Sequence, residues 1–314
     1  MNKTRGGEPS CFTLELNKIQ AEKLKSICIA RGFERYDVNY ADYAFRGNGF
    51  NLVMYRSGKL VLQGKEAADF LTFTIEPQVT LEFILGNESV HHPEWFRPHA
   101  GLDESGKGDF FGPVVTACVI AGEKEVHALR EAGIRDSKLV SGDGKIFEME
   151  KQMRAIGGVV VETMVLPMDK YNELYHRFGS NLNRLLGWMH ACSLANALRR
   201  RYVSEGLLDR FSKQPLVQNF LKRDFPDFVL SMRTKAESDP VVAAASVAAR
   251  AEYVRRMKAL SDDAKMILPK GVNKTVIEVG RAIFARDGAE GLARYSKVHF
   301  KTFKEICENK EEIS

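Results

Sequence analysis

Apolar and polar positions change period several times along the chain, and each change predicts an element. Residues 11–16 read as a short strand, after which Asn17 stands where a helix needs a cap. From there to about Arg31, the apolar positions Ile19, Leu24, Ile27, Cys28 and Ile29 roughly follow helical spacing. Strand-like runs at 40–45, 50–55 and 60–63 are separated by Gly47-Asn48-Gly49 and Ser57-Gly58, both good hairpin turns. Residues 65–75 read as a second helix. Strand, helix, three strands and helix describe a small α+β module. Residues 76–97, with Pro77 and Pro93 and with Pro98 just beyond, read as a linker, so the expected domains are 1–90 and 91–314.

The second region keeps alternating. Strand signals at 100–102 and 114–121 are followed by helices at about 124–132 and 145–156 and a strand at 158–166. A helix over 183–203 places Leu185, Leu186, Met189, Leu194 and Leu198 on one inner face. Short strands at 207–211 and 228–232 precede a small-residue helix over 239–257, and the remainder is helical. Strands that alternate with helices, with acids at strand ends, imply an α/β domain: a central mixed sheet flanked by helices.

Composition changes this picture little. Of 314 residues, 46 are basic and 41 acidic, a net +5 that permits a nucleic-acid partner without demanding one. Cys11, Cys28, Cys118, Cys192 and Cys307 show neither zinc spacing nor a disulfide framework, which fits a reducing cytoplasm. No run has the length of a membrane span or the form of a signal peptide. The expectation is a cytoplasmic protein with no membrane partner.

The candidate chemistry centres on Gly101–Pro113. Asp103 and Glu104 are adjacent carboxylates that run into a turn containing Gly106 and Gly108. Neighbouring strand residues point to opposite faces, so both acids serve one site only if the strand ends or distorts there. Paired carboxylates at a strand end suit hard divalent cations. In the small module, Arg46, Arg56, Lys59 and Lys65 lie in the hairpins beside Tyr43, Phe45, Phe50 and Tyr55, a combination that serves phosphates and sugars when it shares one sheet face. The aromatics are equally the ordinary core of such a sheet.

The run Asp103-Glu104-Ser105-Gly106-Lys107-Gly108-Asp109 resembles the opening motif of the type 2 ribonucleases H. Asp136-Ser137-Lys138, Asp209, and Lys235-Ala236-Glu237 leading into Val242–Arg250 fit the same family, in family order. The two-domain layout, Ser57–Lys65 and Lys297–Thr302 resemble its HIII group, whose N-terminal extension is related in fold to TATA-binding protein. The resemblance implies an endonuclease that hydrolyses the RNA strand of RNA–DNA hybrids and leaves 5′-phosphate and 3′-hydroxyl ends. It implies Mg²⁺ or Mn²⁺ in a two-metal site, with Asp103, Glu104, Asp209 and Glu237 as catalytic acids and the first three as metal ligands. Asp239 competes with Glu237 for the fourth place. Ser105, Gly106, Lys107, Gly108 and Lys138 would meet substrate, joined by Arg46, Arg56, Lys59 and Lys65 of the module. His190 reads as structural, and His299 as the better candidate of the two for a phosphate contact. A type HII alternative, excision at single embedded ribonucleotides, would want a junction-reading tyrosine. None occurs in 297–302, although Tyr295 lies nearby. The chain is expected to act as a monomer with no protein partner.

Overall fold

A computed structural model describes residues 10–80, 92–134, 137, 140, 142–234 and 236–308. The chain separates into two compact units, Met1–Pro93 and Glu94–Ser314.

In the first unit, strand β1 (Ser10–Glu15) leads into helix α1 (Lys18–Ala30). Asn17 starts the helix through a capping box: its side-chain Oδ1 accepts from Gln20 N at 2.9 Å, and the Gln20 side-chain Oε1 accepts from Asn17 N at 3.0 Å. Strands β2 (Glu34–Tyr36), β3 (Ala41–Gly47), β4 (Phe50–Tyr55) and β5 (Lys59–Gly64) complete a five-stranded sheet in the order β1-β5-β4-β3-β2. Every pairing in it is antiparallel. Leu24 and Cys28 of α1 are buried, whereas Ile19 and Ile29, expected on the same stripe, are exposed.

Helix α2 (Ala67–Phe70) passes directly into π-helical turns over Leu71–Thr80. The expected linker therefore begins later than residue 76. Pro77 costs such a turn about 3 kcal/mol, but burying Ile75 and Val79 against the sheet returns about 1.5–3 kcal/mol each. Tyr43, Phe45 and Phe50 belong to the same core, with the Tyr43 hydroxyl donating to the Ala21 carbonyl at 2.7 Å. They are not available to stack on a ligand. Of the four aromatic candidates, Tyr55 alone is only partly buried.

The second unit is built on a mixed sheet. Strands β6 (His99–Ser105), β7 (Val115–Ala121) and β8 (Val160–Val165) are antiparallel neighbours. Strands β9 (Glu205–Asp209) and β10 (Val229–Arg233) extend the other edge in parallel, giving the order β10-β9-β6-β7-β8. Helices α3 (Glu123–Glu131), α4 (Asp143–Ala155), α5 (Met168–Arg177), α6 (Leu182–Arg200) and α7 (Leu216–Leu221) are interleaved with them. Helices α8 (Pro240–Ala264), α9 (Lys274–Ala293) and α10 (Lys301–Glu308) follow.

Both faces are covered. Val241, Ala244, Ala245 and Ala248 of α8 pack with Val115, Ala117 and Val119 of β7. Ala191, Leu194 and Leu198 of α6 pack with Ala100, Leu102, Ile120 and Leu208 on the opposite face. The alanines let α8 approach closely: a Cβ at Gly101 would run into the backbone of Val241 and Val242. This helix fixes what comes just before it, the short 3₁₀ turn Ala236–Ser238.

Candidate active site

Parallel pairing sets Leu102 of β6 opposite Leu208 of β9, and each leucine is followed by an acid. Alternation puts Asp103 on the same face as Gly101, and Asp209 on the same face as Leu207. Leu207 packs with Ala236 and Val242, so this is the face covered by α8. Asp103 and Asp209 thus leave neighbouring strands on one side of the sheet, Asp209 at the end of β9 and Asp103 shortly before the end of β6. The turn bearing Glu237 lies on that same side. Asp209 Oδ1 and Glu237 Oε2 are buried without a hydrogen-bond partner among the described residues. Leaving a buried carboxylate oxygen without a donor costs about 1–3 kcal/mol or more, and such orphans mark a place for an ion.

Glu104 behaves differently. The ladder with β7 continues through Ser105 opposite Val115, so the strand neither ends nor distorts between the two acids. Glu104 consequently faces α6, where its Oε2 lies 3.2 Å from His190 Nε2 and its Oε1 3.4 Å from Lys107 Nζ. Burial pulls its carboxyl pKa up, but the His190 hydrogen bond, the His190 charge and Lys107 outweigh this and leave it below the ordinary value. The two acids remain linked, since Glu104 N donates to Asp103 Oδ1 at 2.8 Å. Among the described residues, no group of three His, Cys, Asp or Glu side chains is gathered tightly enough to chelate one ion.

Asp239 has other work. Its Oδ1 accepts from Val241 N at 2.8 Å and Val242 N at 3.3 Å, capping α8, and lies 3.1 Å from His99 Nε2. The other ring nitrogen of His99 is 2.7 Å from the Arg97 carbonyl, so both nitrogens face acceptors and the doubly protonated ring fits best. Burial lowers the His99 pKa, yet the Asp239 contact overcomes it and the net shift is upward.

The turn after β6 divides its glycines by role. Gly106 has φ +84°, and a Cβ there would strike the Pro113 carbonyl and the Tyr253 ring. Gly108 has no atom within 4 Å of where its Cβ would stand, so the turn is open there. Ser105, at the end of β6, is partly exposed. Lys107 Nζ sits 5.6 Å from the Phe211 ring centre. Ser137 is buried, its hydroxyl 2.7 Å from that of Ser246, while Arg250 donates to its carbonyl. Lys138 lies outside the described residues.

His299 is not placed as a phosphate contact. It stacks on Tyr175 at 4.4 Å and lies 3.0 Å from the Tyr171 hydroxyl, and burial, with the Lys297 charge, pushes its pKa down to about 4. His190 is wholly buried and stacks on Phe211 at 5.5 Å. Its direct contact with Glu104 had no signal in the sequence. The basic residues of the first unit form two pairs, not one cluster: Arg46 and Lys65 lie at one end of the β4–β5 hairpin and Arg56 and Lys59 at the other. Arg46 lies 3.4 Å from Glu34 and 5.4 Å from the Tyr36 ring, and Arg56 lies 4.0 Å from Asp42.

The ribonuclease HII family model matches residues 100–303. Ribonuclease HIII of Chlamydia caviae is 38% identical over 290 residues, 91% of this chain and 94% of its own length. Ribonuclease HIII of Protochlamydia amoebophila is 35% identical over 95% of this chain and 96% of its own. The structure of Bst-RNase HIII in complex with Mn2+ superposes with a TM-score of 0.65 at 23% identity, covering 95% of this chain and 98% of that one.

Proposed function

This chain belongs to the ribonuclease HIII family, and we propose that Asp103, Glu104, Asp209 and Glu237 are the carboxylates with which it works. It is a ribonuclease H, an endonuclease acting on the RNA strand of RNA–DNA hybrids. The observation that carries the assignment is the convergence of Asp103 and Asp209 on one sheet face, beside Glu237, with buried oxygens of Asp209 and Glu237 that have no donor among the described residues.

That donor set fits Mg²⁺ or Mn²⁺, hard cations that take oxygen ligands. Bound there, such ions supply an activated water and neutralise the charge of the leaving oxygen. Asp103, Asp209 and Glu237 would hold such ions through their carboxylate oxygens. Glu104, expected as a metal ligand, stands instead on the α6 side of β6, kept ionised by His190 and Lys107, and acts on the site through Asp103, whose Oδ1 accepts from its amide. Hydrolysis leaves 5′-phosphate and 3′-hydroxyl ends. Asp239 is spoken for by the α8 N-terminus and His99, which favours Glu237 as the fourth acid.

The amides of Gly106–Gly108 meet the ribose, whose 2′-hydroxyl distinguishes RNA from DNA. Lys107 contacts phosphate, and Lys138 does so as well. Arg46, Arg56, Lys59 and Lys65 give the first unit, whose fold is related to TATA-binding protein, its grip on the hybrid. Tyr295 is buried with its hydroxyl on Asp263 at 2.8 Å, so it is not free to read an RNA–DNA junction, which weighs against HII-like excision. All four acids come from one chain, which suits a monomer. The described part of the chain has no helix long and apolar enough to cross a membrane, and its five thiols are free, as suits the cytoplasm.

The test is one panel: hybrid, duplex DNA, duplex RNA and a duplex with a single ribonucleotide, each with Mg²⁺, with Mn²⁺ and with chelator. Cleavage of the hybrid alone, in either metal and never in chelator, is expected. Cleavage in chelator, or equal cutting at the lone ribonucleotide, would overturn the corresponding part.

A further inference from the structure

Lys297 is completely buried, and it is one of the largest side chains to be so. Its Nζ donates to the Asp109 carbonyl at 2.7 Å and to the carbonyl of Gly112. It lies 5.8 Å from the Tyr171 ring centre and 5.9 Å from that of Phe300. Its acceptors are main-chain carbonyls. The nearby Asp109 carboxylate accepts from Gly271 N at 2.5 Å, and its charge opposes the effect of burial on the lysine without overcoming it. Enclosing an ammonium against neutral acceptors is costly, and burial pushes its pKa down to about 7. A methionine of similar length would fill the space without that cost, though it would take a donor from the two carbonyls. The two effects oppose each other, so stability alone does not decide for a lysine here.

The two carbonyls it holds lie at either end of Asp109–Gly112, the segment that begins directly after Gly108. The same segment is clasped by main-chain bonds: Lys297 N to Phe110 O at 3.0 Å, Gly112 N to Tyr295 O at 2.8 Å, and Phe110 N to Gly271 O at 3.1 Å. Phe111 bridges to Ser296, and both Phe110 and Phe111 are fully buried. On its other side the turn is fixed by Gly106 against Pro113 and Tyr253. The open residues between these anchors are few, so a small change at Asp109–Gly112 moves the amides of Gly106–Gly108.

We infer that Lys297 is a positioning residue for substrate recognition: it fixes both ends of Asp109–Gly112 and so sets where the Gly106–Gly108 amides meet the ribose. The inference rests on the reading of that turn as the ribose contact. It assigns the C-terminal part of the fold, which supplies no acid, a part in substrate choice.

The experiment uses full-length Lys297→Met, Lys297→Gln and Gly108→Val, with thermal midpoint, KM and kcat measured on an RNA–DNA hybrid. Lys297→Met should melt near the parent's temperature, the relief of a buried charge offsetting the two carbonyls that lose this donor, while KM rises roughly tenfold and kcat stays within about threefold. A lower midpoint with unchanged KM would show a merely structural lysine and overturn the inference. Lys297→Gln keeps a donor for one carbonyl, so its KM should rise less. It also carries the test should the methionine variant fail to fold, and a parental KM in Lys297→Gln would then overturn the inference. Gly108→Val separates the two levels. An unchanged KM there means the turn does not meet substrate, and the underlying reading fails. A raised KM there with a parental KM in Lys297→Met overturns the clamp alone.

Discussion

The sheet of the first unit is antiparallel throughout, with α1, α2 and the turns to Thr80 packed into a single core. The sheet of the second unit is mixed, and helices α6 and α8 bury both of its faces. In the first, charged side chains are exposed at the hairpin ends, as for Arg46, Arg56, Lys59 and Lys65. In the second, acids stand near strand ends and on the adjoining turn in a buried setting, and one oxygen each of Asp209 and Glu237 has no donor among the described residues. A solvated charge is cheap and is suited to gripping phosphate, whereas an orphaned buried carboxylate is costly and is suited to holding an ion. The difference teaches where to look for binding and where for chemistry.

Three comparisons sharpen the contrast. The largest effect among them is expected at Glu237→Gln, which keeps size but removes charge: kcat should fall roughly a hundredfold or more, with little change in thermal midpoint. Asp239→Asn should show the reverse pattern: Asn still caps α8, but the buried contact with the His99 ring loses its charge, so the thermal midpoint should fall with a smaller loss of kcat. Rapid-quench rates alongside melting curves would show it, and the opposite ranking would transfer the fourth acid to Asp239.

Next comes the first unit. Alanine at Arg46, Arg56, Lys59 and Lys65 together should weaken hybrid binding by roughly tenfold and flatten its salt dependence by about one unit of log–log slope for each phosphate no longer neutralised. Turnover at saturating hybrid should hold. Identical slopes in fluorescence-anisotropy titrations would mean that these residues do not touch substrate.

The smallest effect is a pH signature inside the second unit. The folded pKa of His99 is raised above its ordinary 6.5, so its stabilisation is full below pH 6.5 and is lost as pH rises through the folded value. The midpoint difference between parent and His99→Gln should therefore be larger near about pH 6 than near about pH 9. A difference that grew with pH would remove the imidazolium–Asp239 contact from the account.

Much of this was legible in the sequence because the signals are local. Asn17 at a cap position announces the first helix, and Leu102-Asp103 and Leu208-Asp209 announce strands with acids at or near their ends. Leu185, Leu186, Met189, Leu194 and Leu198 are all buried, as a helical stripe should be. Strand β2 escaped because Glu34-Arg35-Tyr36 has no apolar pattern and exists through pairing with β3. Helix α5 escaped because only Met168 and Tyr171 of its residues are buried, too narrow a stripe to see. The separation of Asp103 from Glu104 depends on how far the β6–β7 ladder runs, which two glycines in the sequence do not fix. A buried polar side chain such as Lys297 or His190 is invisible to hydropathy, since its partners arrive from distant positions.

The most direct measurement is Asp209→Asn assayed two ways on one RNA–DNA hybrid: equilibrium binding, and single-turnover cleavage with enzyme in excess and Mn²⁺ titrated. Binding should stay within about threefold of the parent while the cleavage rate falls by roughly a thousandfold at every metal concentration. An Asp209→Asn enzyme that binds and cuts at near-parental rates would contradict the account, because the acid that the parallel β6–β9 pairing brings beside Asp103 would then have no part in the chemistry.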